Sequence, residues 1–255
     1  MIYPGEPAEY KHFGYFENGK TSVATATTGK LAVIEGVIHN RSGSATHLAM
    51  CTRMKNADWK IYDYGWTTAS TVGVERTASA QTGSTFSVVA QTAGVGIIIA
   101  SPAPFGFISV TSNSAPTGDP GYVYTYYNGA TQVAFTPSIR KPTTFTAGDT
   151  NIVFSPPADW AVGNTAAVDA GSVLSSHYCL RMVASAAATA SGTVNRIFVG
   201  RTLFNLENVA NYDFMSVNPR EDIPLRDGEG VVPFYGAAAS TNVGTVATKN
   251  IKTPG

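Results

Sequence analysis

Gly129-Ala-Thr-Gln-Val-Ala-Phe-Thr-Pro137 and Gly148-Asp-Thr-Asn-Ile-Val-Phe-Ser-Pro156 are one phrase written twice. Glycine, threonine, a β-branched residue, phenylalanine and a Ser/Thr-Pro ending fall at the same offsets in both. Val133 and Phe135 alternate with Gln132, Ala134 and Thr136, as Ile152 and Phe154 alternate with Asn151, Val153 and Ser155. That period of two is the mark of a strand with two different faces. Each phrase reads as turn, strand, stop, because proline has no N–H to give a ladder. Two copies are too few for a solenoid, which needs at least three. They predict two similar strands of a sandwich.

The same texture extends outward in both directions. Asn195-Arg-Ile-Phe-Val199 alternates in the same way, and 25 glycines and 14 prolines punctuate short runs rich in Val, Ile, Phe, Tyr and Thr. Many short strands separated by turn residues describe an antiparallel all-β chain. Met182 to Ala190 has helical propensity, but Ser185 and Thr189 interrupt it and Ser191-Gly192 stops it, so it reads as a strand and a loop. The fold class expected is all-β, an antiparallel β-sandwich or jelly-roll-like arrangement with little helix, in two β domains. Pro137, Pro142 and Pro156-Pro157 bracket a change from Tyr-rich to Ala-rich composition. The expected division is therefore a β domain with an N-terminal arm over 1–140, a second β domain over 141–240 and an extended C-terminal arm over 241–255. The last of these lacks a periodic apolar face.

Charge narrows the function classes. Of 255 residues 44% are hydrophobic, a usual share, but only 13% are charged, where about 25% is ordinary. Lys plus Arg and Asp plus Glu number 17 each, so the net charge is zero and no basic footprint for nucleic acid or an anionic membrane exists. Between Thr77 and Ile139 the only charged side chain is Asp119. Two readings of that segment stay open: a wet surface of Ser, Thr and Gln, or a contact surface between molecules, whose cores are depleted of charge. Met1-Ile-Tyr-Pro-Gly-Glu-Pro7 has no basic flank followed by an apolar stretch, so no export signal is expected. Apolar runs such as Val95 to Ala100 are far short of the roughly 20 residues that span a bilayer.

Catalytic patterns are scarce. His12, His39, His47 and His177 stand in no metal-binding or nucleophile motif, and no Gly-x-Ser-x-Gly turn occurs. Cys51 and Cys179 are too few for a disulfide framework or a zinc site and are expected reduced, buried and inert in strands. His47 near Cys51 and His177 near Cys179 lack an orienting carboxylate. Asp58, Asp63, Asp159 and Asp169 single out no glycosidase pair. Arg226-Asp-Gly-Glu-Gly230 is too poor in oxygens for a calcium loop and reads as a solvated turn. No enzyme activity, cofactor or metal is expected.

Two aromatic stretches remain as candidate binding residues. Trp59-Lys-Ile-Tyr-Asp-Tyr-Gly-Trp66 and Tyr122-Val-Tyr-Thr-Tyr-Tyr127 place rings on alternate positions, with Tyr122, Tyr124 and Tyr126 on one face. If exposed, Trp59, Trp66, Tyr122, Tyr124 and Tyr126 would form a protein contact or a sugar-stacking surface. If buried, they are cross-strand packing inside a sandwich.

Residues 195 to 218, Asn-Arg-Ile-Phe-Val-Gly-Arg-Thr-Leu-Phe-Asn-Leu-Glu-Asn-Val-Ala-Asn-Tyr-Asp-Phe-Met-Ser-Val-Asn, resemble the late strands of discoidin-like (galactose-binding-like) β-sandwich domains of tailed-phage virion proteins. His177-Tyr-Cys-Leu-Arg-Met-Val-Ala184 would be the inner strand before them. The resemblance covers about 140 to 240, and the Gly/Ala/Thr/Ser-rich, low-charge texture is similar to phage head-decoration and tail proteins. It implies a non-enzymatic virion structural protein in multiple copies, tail-associated at a tip, baseplate or fibre-proximal position. Its partners would be other copies of itself and other virion proteins, without nucleic acid or membrane, and its location the virion. The alternatives are a capsid decoration protein and a carbohydrate-binding module on a host surface glycan, with Tyr122, Tyr124 and Trp66 as stacking platforms.

Overall fold

The computed structural model describes residues 9–13, 24–25, 30–39, 46–65, 72–87, 92–114, 121–141, 148–163, 173–187, 193–209, 214–217, 223–225, 230–235 and 243–252. These form β1 (Glu9–Phe13), β2 (Ala24–Thr25), β3 (Lys30–His39), β4 (Thr46–Arg53), β5 (Lys60–Tyr64), β6 (Val72–Glu75), α1 (Thr77–Thr82), β7 (Phe86–Ser87), β8 (Gly96–Ser101) and β9 (Phe107–Ser114). After them come β10 (Tyr122–Tyr127), β11 (Gln132–Phe135), β12 (Ile139–Lys141), β13 (Gly148–Val153), β14 (Tyr178–Ala184), β15 (Thr193–Val209), β16 (Phe214–Val217), β17 (Ile223–Leu225), β18 (Gly230–Tyr235) and β19 (Val243–Lys252). The protein is all-β and its sheets are mostly antiparallel, with one parallel bridge, Gly163 to Tyr178, among the described residues. The one α-helix among the described residues is the six-residue α1, closed by Gly83 at φ +88. As expected, the strand through Met182 ends at Ala184 rather than continuing as a helix.

The chain divides into two compact units, Asn56–Val199 and the pair of segments Met1–Lys55 and Gly200–Gly255. This replaces the boundary expected near residue 140. Hydrogen-bonded ladders cross that point: β9 pairs β13 and β10 pairs β14, so 121–139 and 148–184 belong to one unit. Pro137, Pro156 and Pro157 stand between strands of the same unit, not in a linker. The expected extended arm over 241–255 is also corrected, because β19 lies between β1 and β3. Val243, Thr245, Val246, Thr248 and Ile251 give that segment β-branched residues in number, which suit a strand even where the alternation is imperfect.

Within Asn56–Val199 a six-stranded sheet runs in the order β11-β10-β14-β8-β5-β6. Across from it lie β12-β13-β9-β15, part of an eight-stranded sheet. Ring contacts bridge the two layers, since Phe135 on β11 meets Phe154, just after β13, with centroids 5.0 Å apart. The duplicated phrase therefore codes two strands in different sheets whose phenylalanines meet, the sandwich pair that the sequence predicts. β8, Gly-Ile-Ile-Ile-Ala-Ser, is buried along its whole length, as a central strand covered on both faces must be. Ile97, Ile99, Leu180 and Met182 are fully buried, and on the other face Tyr64, Ile98, Ala100 and Cys179 pack with Leu174.

In the unit made of Met1–Lys55 and Gly200–Gly255, β3 is flanked by β19 and by β16 and β17, and β1 adds to the far side of β19. β4 pairs with the later part of β15 and with β18, and β2 pairs with β18.

Candidate functional site

The β10–β11 hairpin presents the uncharged segment to solvent, and its turn is built from local chemistry. Asn128 Oδ1 accepts hydrogen bonds from the Ala130 and Thr131 N–H groups at 3.0 and 2.8 Å, and the Asn128 N–H donates to the Thr131 carbonyl at 3.1 Å. Gly129 sits at φ +94, a left-handed conformation that glycine adopts without a Cβ clash. The Tyr127 hydroxyl donates to the Gly129 carbonyl at 2.7 Å, and the Ala161 N–H donates to the Tyr127 carbonyl at 2.8 Å.

Under the hairpin lies an aromatic layer. Phe135 stands 6.1 Å from Tyr124 and 6.0 Å from Tyr126, and Trp160 lies 5.1 Å from Phe105, 6.2 Å from Tyr126 and 5.9 Å from Tyr178. Tilted and edge-on arrangements at these separations are the favourable ones for aromatic quadrupoles. The Tyr126 hydroxyl donates to Asp159 Oδ1 at 2.8 Å, and that bond, with the carboxylate's charge and burial, raises the phenol's pKa.

The structure corrects the sequence-derived binding residues. Trp59, Tyr124 and Tyr126 are buried in the core and offer no ring face to a sugar or a protein. Tyr122 is partly buried on the same face of β10, and Trp66 lies outside the described residues. The alternation identifies Tyr122, Tyr124 and Tyr126 as companions on one face; that face is the inner one because Met182 and Leu180 lie beside Tyr124 and Tyr126 on β14. No stacking platform is assembled from these residues.

What the hairpin does present is an edge. β11 ends the six-stranded sheet on one side and β6 ends it on the other, and the two edges differ in chemistry. At β6 the exposed Glu75 lies 3.9 Å from Lys60, and Arg76 grips the buried Asp63 through Nε and Nη2 at 2.9 and 2.7 Å. Charges of this kind guard an edge against pairing with another chain. β11 and its turn carry no charged residue of their own: Ala130, Thr131, Ala134, Thr136 and Ser138 are exposed, and all are small and neutral. Of the charges beside it, Asp159 accepts a hydrogen bond from Tyr126, and Arg181 is engaged on the outer sheet face by Tyr64 and by Gln132. Exposed residues elsewhere in the uncharged segment, such as Thr92, Asn113 and Val123, are equally without charge. The segment therefore supplies surface and not just core.

The Asp63–Arg76 pair is not found by the sequence pattern, in which Asp63 is one of four aspartates that single out no glycosidase pair. The signal was present, since alternation places Asp63 on the face of the fully buried Ile61. Acid–base and thiol chemistry find no assembled site among the described residues. Cys179 is buried and donates its thiol toward the carbonyls of His177 and Leu174, while the His177 ring lies against Ser176 Oγ at 3.2 Å. Cys51 is buried and its thiol is pushed up to about 12 by burial, against a smaller lowering from Thr202. Neither cysteine forms a disulfide. No group of three His, Cys, Asp or Glu side chains gathers among the described residues. No helix there is long and apolar enough to cross a membrane. No protein-family model, curated protein or solved structure matches the chain.

Proposed function

We propose that this protein is a non-enzymatic structural subunit of a tailed-phage particle, present in many copies and placed in the tail at a tip, baseplate or fibre-proximal position. The observation that carries the assembly role is the neutral exposed edge at β11, set against the charge-guarded edge at β6. A subunit that meets its neighbours over a large part of its surface has less need of charge for solubility, in keeping with 13% charged residues and zero net charge. The phage assignment comes from the resemblance of residues 195–218 to discoidin-like virion domains. Of the stacking platforms Tyr122, Tyr124 and Trp66, Tyr124 is buried and Tyr122 partly buried beside it, which disfavours the carbohydrate-binding alternative, while Trp66 lies outside the described residues.

Particles purified on a density gradient from cultures that carry the gene, then separated into heads and tails, provide the test. The chain is expected among the tail proteins at many copies per particle. Thr92→Lys, a charge placed on an exposed position of the neutral segment, is expected to lower incorporation while shifting the melting temperature of the free chain by no more than about 2 °C. Absence of the chain from purified particles overturns the proposal.

A further inference from the structure

The β10–β11 ladder fixes which main-chain groups of the edge look outward. The Asn128–Thr131 bond closes the hairpin, and hydrogen-bonded and non-hydrogen-bonded pairs then alternate along it. Tyr126 with Val133 and Tyr124 with Phe135 are the hydrogen-bonded pairs. On the other side of β10, the Ser185 N–H donates to the Gly121 carbonyl, which sets Val123 and Thr125 to bond with β14 and leaves Tyr124 and Tyr126 for β11. Both constraints agree. The N–H and C=O of Ala134 thus point away from the sheet, at the centre of a neutral edge.

We infer that β11 is a seam at which two copies of this chain pair antiparallel about a two-fold axis at Ala134, joining two six-stranded sheets into one. Outward amides must face outward amides, so even-numbered residues lie opposite even-numbered ones. With Ala134 opposite the partner's Ala134, the two exchange a pair of N–H···O bonds, and Val133 stands opposite the partner's Phe135. β-branched against aromatic is a favourable cross-strand pair, and the symmetry supplies it twice. Both side chains are only partly covered in the single chain and would be covered further by the seam. The small Ala134 leaves room for its symmetry mate on the outer face, and no charge meets a like charge across the axis. Pro137 limits the pairing at one end, because it has no N–H to continue the ladder. A second copy, and not an unrelated strand, is the partner because the edge is complementary to itself in this register.

The inference shares with the proposed function the premise that copies meet, and it is tested in solution without the particle. Sedimentation velocity of the full chain up to about 0.1 mM is expected to show a dimer. Ala134→Pro removes an outward N–H that the single chain does not use, and Ala134→Lys sets two cations face to face. Each is expected to weaken the dimer by at least about tenfold while leaving the monomer's melting temperature within about 2 °C. Ala134→Cys is expected to form an intermolecular disulfide on mild oxidation, since hydrogen-bonded pairs hold their Cα atoms about 5.5 Å apart, within disulfide reach. Ser84→Cys, exposed on another part of the unit, is expected to crosslink far more slowly. A wild-type chain that stays monomeric, a dimer indifferent to both Ala134 substitutions, or equal crosslinking at residues 84 and 134 overturns the seam. A chain that dimerises as described but is absent from purified particles overturns the proposed function and leaves the seam standing.

Discussion

A thiol with no water around it resists ionisation, and at Cys51 the consequence is a defined dependence of stability on pH. Its folded value of about 12 lies above the ordinary thiol value of 9.0, so the folded state disfavours the thiolate. Stability is then at its full value below pH 9 and falls as pH rises toward 12, because the unfolded chain gives up that proton first. Denaturant titrations are expected to show little change between pH 7 and 9 and a steady loss above, with Cys51→Ala flattening the loss. Alkylation at pH 8 is expected to modify Cys51 only after denaturation. Asp63 argues from the opposite case, a buried charge with its cation in place. Asp63→Ala leaves Arg76 without its carboxylate at the β5–β6 edge and is expected to cost about 1–3 kcal/mol by urea titration. At this scale the sequence is legible in one respect and opaque in another. Alternation shows that Tyr122, Tyr124 and Tyr126 belong together and that Ile61 and Asp63 do. It does not say which face is inside, because tyrosine serves core and surface alike and an aspartate is buried only when a distant arginine reaches it.

Strands were the most legible elements, and the spaces between them the least. Gln132–Phe135 and Gly148–Val153 are strands close to where the duplicated phrase places them, each ending just ahead of its proline. Pairing between them was not legible, because ladder partners lie far apart in sequence and nothing local encodes that β9 meets β13 or that β10 meets β14. β19 was missed for the same reason: its place is decided by β3 and β1. Close approach of backbones gives an element-scale prediction. A Cβ on Gly96 would run into the Met182 carbonyl oxygen and come within 2.8 Å of the Val183 Cα, both main-chain atoms of a central strand that cannot yield. Gly94, at φ +80, has nothing within 4 Å of its own Cβ position. Gly96→Ala is therefore expected to cost several kcal/mol, as β14 is forced off β8, whereas Gly94→Ala should cost only about 1 kcal/mol of backbone strain. Thermal melts of the two variants decide the order.

For the whole molecule, the all-β class and the low helix content follow from the spacing of turns, while the division into units does not. Asn56–Val199 is continuous in sequence and carries its own two-layered core, so residues 56–199 produced alone are expected to fold. A cooperative melt, and a red shift of the tryptophan emission on denaturation as Trp59 and Trp160 leave the core, would show it; a non-cooperative melt would refute it. The other unit is split by that insertion, and its strands answer one another across it. β1 pairs with β19, β2 with β18, β3 with β16, β17 and β19, and β4 with β15 and β18. Every one of the first four strands thus has its partner at or beyond residue 193. During synthesis they leave the ribosome long before that partner exists, and at about 5–20 residues per second the wait is on the order of ten seconds or more. The nascent chain carries open β-edges through that interval while 56–199 folds behind them, which makes the first 55 residues a natural client for a chaperone and the point at which a slow codon or a truncated message would do most harm.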